Sequence, residues 1–217
     1  MELDDSGSRE KSKRKFPFSI FPPEYDFESM LADQAESTVK GVQIFITWLQ
    51  TSPVTDPISL DLYETQIDSM RHALEDKLGE AFSTPFDRQD IYSLSRQIGY
   101  VLNFSVVTAR EMFAFGVSPD QPIQQMAEAL LSGTRALTKG VRNLHGDERG
   151  VHDTIHEVRE AIRSIEHVYI AGMAVLLRNG DMAEALRRRE IYHHLRDAGR
   201  ALSNTTDILH RVTVALD

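Results

Sequence analysis

The stretch TPFDRQDIYSLSRQIGYVLNFSVVTAREMFAFG, residues 84–116, decides the fold class. Thr84-Pro85-Phe86-Asp87 reads as a helix start: Thr84 caps, Pro85 opens the first turn, and Asp87 sits where it meets the positive helix end. A helical pattern runs from there to about Phe115, and Gly116 stops it. The same grammar recurs on both sides. Asp56 reads as an N-cap with Pro57 at the first helical position, and Ser118-Pro119-Asp120-Gln121 puts Gln121 at the capping-box position.

Working outward, apolar residues recur every three or four positions in the remaining segments. The first helix runs from about Asp26 to Leu49 with Leu31, Val42, Phe45 and Leu49 on its stripe, and Ser52-Pro53 ends it. The second carries Leu60, Tyr63, Ile67, Met70, Leu74 and Leu78. The fourth carries Ile123, Met126, Leu130, Leu137 and Val141, and His145-Gly146-Asp147 breaks it. The fifth carries Val151, Ile155, Val158, Ile162 and Ile165 and ends at Asn179-Gly180. The sixth carries Met182, Leu186, Tyr192, Leu195, Leu202 and Leu209. No alternating β-type segment interrupts this series. The prediction is an all-α fold of six long antiparallel helices, each of about 25–30 residues and ~40 Å. Short connections make sequential helices neighbours. Two triplets of similar length predict two pseudo-repeated three-helix bundles, residues 16–116 and 117–217. Residues 1–15 read as a disordered polar tail, and Phe16–Pro23 as an extended apolar strap.

Composition narrows the function classes. The net charge of −9 argues against nonspecific nucleic-acid binding, favours solubility and tolerates cationic partners such as metals or a basic loop of another protein. There is no cysteine, which excludes disulfides, thiolate metal sites and cysteine nucleophiles, and fits a reducing compartment. The longest apolar run, Val168–Leu177, is half of what a bilayer span needs. Lys11, Lys13, Arg14 and Lys15 form a basic patch, but Glu2, Asp4, Asp5 and Glu10 largely cancel it. The expected location is the cytoplasm, with peripheral contact at the inner membrane face as the sharper reading of that patch.

Neither a phosphate-cradling glycine loop nor a nucleophile–base pair stands out, so catalysis is not expected. His152 and His156 share a helix face, but two histidines make half a metal site. Glu64 and Asp68, four apart on the second helix, face the same way and could help to hold a divalent or iron ion. A solvated acidic face is the usual reason for such spacing.

Glu64-Thr-Gln-Ile-Asp68, followed by Thr84-Pro85-Phe86-Asp87-Arg88-Gln89-Asp90-Ile91, resembles the PhoU-like family of Pit accessory proteins. Phe16-Pro17-Phe18, Asp26-Phe27, Gln34-Ala35, Trp48-Leu49 and Arg189-Glu190-Ile191-Tyr192 follow its pattern more loosely. The resemblance implies one PhoU-like domain over residues 16–217. It also implies a cytoplasmic regulator that acts with a low-affinity phosphate permease or a phosphate-signalling protein, as a homo-oligomer. The wider group can hold multinuclear metal clusters on E/D-x-x-x-D motifs.

This chain departs from that pattern where the metals would sit. Gly99-Tyr100-Val101-Leu102-Asn103 stands where a further acidic motif is expected, and in the second half only Glu166 remains acidic while Arg196 and Arg200 occupy acid positions. Several carboxylates are needed to offset a cluster's charge. The expectation is therefore a lost second cluster and a weak first one, with Arg196 and Arg200 pairing with Glu166 or another acid. Arg88 and Asp90, which capping does not explain, are expected in a polar network between helices. The functional expectation is a non-enzymatic accessory or regulatory protein of inorganic phosphate transport. The alternatives are a metal-binding bundle with its site at Glu64 and Asp68, or a helical scaffold that has lost the ancestral role.

Overall fold

The computed structural model describes residues 24–51, 53–144, 148–178 and 181–216. The expected tail and strap, and the breaks at 145–147 and 179–180, lie outside them. Among the described residues there are six helices and no strand: α1 (Phe27–Leu49), α2 (Ile58–Glu80), α3 (Arg88–Phe115), α4 (Gln121–Arg142), α5 (Glu148–Leu176) and α6 (Met182–Leu216). Lengths spread more widely than expected, from 22 residues in α4 to 35 in α6.

Local chemistry sets the ends. Asp26 caps α1 by accepting from the Ser29 amide at 2.9 Å. Gly116 closes α3 in the left-handed region at φ 68°, where a side chain would be strained, and the Val117 amide returns to the Met112 carbonyl at 2.9 Å. Three starts lie further along than expected. Pro57 itself occupies the cap position of α2, with no side-chain cap. The Thr84 hydroxyl turns back to the Phe86 carbonyl (2.7 Å), so Asp87 caps α3 by accepting from the Gln89 amide. Asp120, not Ser118, caps α4 by accepting from the Ile123 amide, which puts Pro122 in the first turn. Asp120 prevails because its second carboxylate oxygen is gripped by Arg188 and Tyr192 from α6.

α1, α3, α4 and α6 pack as a central four-helix body. α2 lies against α1 and α3, and α5 lies against α4 and α6. The two triplets meet along α1–α4 and α3–α6, and their apolar side chains form one continuous core. α2 contributes only a narrow seam of Leu60, Ile67, Leu74 and Leu78. Close approach depends on glycine. A Cβ on Gly133 of α4 would lie 3.0 Å from the Ala161 Cβ and 2.8 Å from the Leu202 side chain. Gly140, two turns on, faces Thr154 and Leu209 in the same way. All three helices therefore keep one seven-residue register, α5 antiparallel and α6 parallel to α4.

Buried polar groups follow two rules. All eight buried threonines among the described residues (Thr38, Thr108, Thr134, Thr138, Thr154, Thr205, Thr206 and Thr213) donate to the carbonyl four residues back in their own helix. Gln34 on α1 and Ser95 on α3 instead satisfy each other across helices. The Gln34 amide donates to the Ser95 carbonyl at 2.8 Å, and the Ser95 hydroxyl donates to Gln34 Oε1 at 2.7 Å. Polar pairs also line the α3–α6 seam: Asp90 with Arg211, Gln97 with Asn204, and Glu111 with His194.

Candidate functional site

The sequence motif at residues 84–90 proves to be a junction. Arg88 reaches back over the end of α2 and donates to the carbonyls of Leu78 (2.7 Å), Ala81 and Phe82 (3.2 Å). The Leu78 carbonyl is one of those that the end of α2 leaves without an intrahelical partner, and Ala81 and Phe82 follow in the turn. Asp90, almost fully buried, accepts from Arg211 near the end of α6. Phe86 packs partly against the core, and Pro85 lies in the turn before the helix. The motif thus ties α2, α3 and α6 together at one end of the molecule.

Glu64 and Asp68 line a polar cleft of about 420 Å³ between α2 and α3, with Arg71, Tyr92, Arg96, Tyr100 and Asn103. Glu64 accepts from Asn103 at 2.8 Å and from Arg110 at 2.7 Å. Arg110 also holds Asp61, and Asp68 is held by Arg71 at 3.2 Å. Arg71 in turn bridges to Glu75 at 3.0 Å. Arg96 donates to both tyrosine hydroxyls and lies 5.4 and 5.5 Å from the two ring centres. The carboxylates are present where the sequence puts them, and each is engaged by an arginine. Pairing across 39 and 46 residues depends on helix register, so Asn103 and Arg110 carried no local signature as partners of Glu64.

The corresponding positions of the second half form no carboxylate site. The Arg196 guanidinium lies 4.3 Å from the centre of the Tyr169 ring. Arg200 pairs with Asp197 on its own helix at 2.9 Å. Glu166 is half-buried on α5 and takes part in no ion pair among the described residues. Arg200 thus pairs with a neighbouring acid on its own helix and not with Glu166, and Arg196 places its planar cation over an aromatic face. His152 meets His210 edge to face, and His156 approaches Glu160, so the two do not converge. His194 Nε2 lies 3.1 Å from Glu111 Oε2, in a geometry that falls outside that of a hydrogen bond.

His193 sits beside this stack, its Nε2 2.8 Å from the Tyr169 hydroxyl. Burial, then the charges of Arg196 and Arg189, push its pKa below the ordinary 6.5, and Glu190 and Asp197 oppose them. A folded-state pKa below the unfolded value means that the folded chain holds fewer protons. This contribution to stability is present above pH 6.5 and is lost as pH falls through the folded pKa. An NMR titration of the imidazole should give a midpoint below 6.5. His193→Gln should flatten the fall in melting temperature between about pH 7 and about pH 5. A midpoint at or above the ordinary value would refute this account.

The opposite end of the molecule from the Arg88 junction is apolar. It gathers the starts of α2, α4 and α6 and the ends of α1, α3 and α5, as the Trp48–Thr55, Arg110–Asp61 and Arg188–Asp120 contacts require. Ile58, Leu62, Phe113, Phe115, Val175, Leu177, Met182 and Leu186 stand exposed there, each by more than 40%. Met182 and Leu186 thus face outward, although they sit on the apolar stripe read from the sequence: Ala185, buried between them, is on the covered side of the first turns of α6. Beside them a trough of about 600 Å³ opens between α4, α5 and α6. Its floor holds Pro122, Val168, Ala171, Val175 and Ala185, and its rim holds Asp120, Asp181, Glu184 and Arg188.

Neither a family model nor a curated protein matches the chain in sequence. Two solved structures from Shewanella oneidensis MR-1 match its fold. One, a PhoU-like protein, superposes with a TM-score of 0.73 over 88% of this chain and 100% of its own, at 12% identity. The fold is PhoU-like. The second, assigned as a PhoU-like phosphate regulatory protein, gives 0.67 over the same shares at 11% identity.

A PhoU-like fold raises the question of metal. Among the described residues no three His, Asp or Glu side chains converge on a point that could hold an ion. An ion at Glu64 would have to displace Arg110 and Asn103, and one at Asp68 would have to displace Arg71. Fixed cations at both carboxylates oppose a second positive charge, so this donor set does not fit a metal cluster. No described helix is long and apolar enough to cross a membrane.

Proposed function

We propose that this chain is a non-enzymatic regulator or accessory protein of inorganic phosphate transport, acting in the cytoplasm by contact with a low-affinity phosphate permease. The observation that carries the contact mechanism is the apolar end. Exposed side chains from α2, α3, α5 and α6 collect on one face, and such patches mark surfaces that are covered by a partner. The PhoU-like fold supports the link to phosphate, because one structure of that fold is assigned to phosphate regulation. The polar cleft supports a role without chemistry, since its carboxylates are tied to arginines.

The test is isolation of the protein from gently solubilised native cells grown at high and at low phosphate. A tag on the C-terminus lies at the end away from the apolar face. Recovery of a phosphate permease, changing with phosphate supply, is the expected result. Its absence in both conditions, with the protein abundant and folded, overturns the proposal.

A further inference from the structure

The trough between α4, α5 and α6 combines two properties that select an occupant. Its floor is aliphatic over two turns of α5, from Val168 to Val175. Its lining carries three carboxylates, Asp120, Asp181 and Glu184, with Arg188 and His167, and Arg187 also pairs with Glu184 from the same helix. Arg188 is shared between Asp120 and Glu184, so it offsets only part of the rim charge. Asp181 accepts from the amides of Ala183 and Glu184 through one carboxylate oxygen. The whole chain repeats the sign, at −9.

Resting on the reading above, we propose that this trough receives an amphipathic basic helix from a membrane partner. Its apolar face would lie on Val168, Ala171 and Val175, and a lysine or arginine would meet Asp181, the lining carboxylate in no ion pair among the described residues. Helices dock in apolar grooves by side chains spaced three and four apart. Cytoplasmic segments of membrane proteins are enriched in lysine and arginine, so their charge complements this rim. An anionic lipid surface has the wrong sign for it. Val175 is 57% exposed, so the aliphatic lining is open to solvent at that position.

The experiment uses the full chain and labelled synthetic peptides of about 18 residues, long enough for five helical turns. One peptide carries leucines at helical spacing among lysines. A second has the same composition scrambled, and a third replaces lysine by glutamate. Fluorescence anisotropy should show the patterned lysine peptide binding at least about tenfold more tightly than either control, and less tightly as salt rises. Val175→Lys, a change at an exposed position, should weaken that binding by at least about tenfold. Ile58→Lys, on the apolar end but outside the trough, should leave it unchanged.

Equal binding of the glutamate peptide, or an unchanged affinity of the Val175→Lys protein, overturns the proposal. So does competition by anionic vesicles, which would make the face a lipid contact. Self-association that Val175→Lys dissolves overturns it too, since the occupant would then be a second copy. The two proposals fail separately. If the permease is recovered with the Val175→Lys protein as well as with the native one, the trough assignment falls and the transport role stands. If the peptide binds as described and no permease is recovered, the reverse holds.

Discussion

Replacing Gln34 by alanine is expected to lower the free energy of unfolding by about 3 kcal/mol. Gln34 is 1% exposed and Ser95 is fully buried, and the two hydrogen bonds between them are the buried side-chain link from α1 to α3. Alanine leaves a cavity and deprives the Ser95 hydroxyl of its acceptor. Ser95→Ala creates no large cavity but leaves Gln34 Oε1 without its donor, at a cost of about 1–3 kcal/mol. The informative case is the pair Gln34→Leu with Ser95→Ala, which removes both polar partners and keeps the volume. It should be more stable than Gln34→Leu alone, because no stranded group remains. Urea unfolding of the four proteins measures this as a coupling energy. Strict additivity would show that the two side chains do not depend on each other.

Replacing Gly133 by leucine is expected to cost about 3 kcal/mol or more. Only the Leu202 side chain can swing away from a new Cβ; the Ala161 Cβ is fixed to the α5 backbone. Accommodation therefore requires α4 and α5 to separate, which opens the core shared with α6. Gly133→Ala gains helix propensity of about 1 kcal/mol but still forces the 3.0 Å contact to widen, so it should not stabilise the protein. Gly79, on the exposed face of α2, has nothing within 4 Å of a built Cβ. Gly79→Ala should stabilise by about 0.5–1 kcal/mol in the same thermal scans. A Gly133→Leu protein that melts with the native one would contradict the close packing of α4 on α5.

Much of the architecture was legible because helix stripes and stops are local. Asp26 and Gly116 stand at their expected ends, and all six helices cover the segments read from apolar spacing. The starts at Pro57, Asp87 and Asp120 were less legible, because several cap-competent residues lie close together in each stretch. Arg188 and Tyr192, about 70 residues downstream, settle the choice at Asp120 through their hydrogen bonds. The same limit applies to the candidate site. The spacing of Glu64 and Asp68 shows that they share a face, but not that Arg110 will arrive beside Glu64 from α3. Arg196 illustrates it from the other side: a cation at an acid's position reads as half of an ion pair, whereas the ring of Tyr169 is what the fold brings to it. The apolar end is hidden for a related reason, since Leu186 and Leu195 look alike on a stripe and only one of them is covered.

The threonines that bond back to their own helices have a bearing on how this architecture can change. A buried hydroxyl satisfied within its own turn asks nothing of the neighbouring helix beyond shape. Thr134 or Thr206 can therefore give way to valine, alanine or serine without a matching replacement elsewhere, because no partner is stranded by the change. A core built this way accepts substitutions one at a time. The same six-helix arrangement is then compatible with very different sequences, as the 12% identity between this chain and the PhoU-like structure it superposes on illustrates.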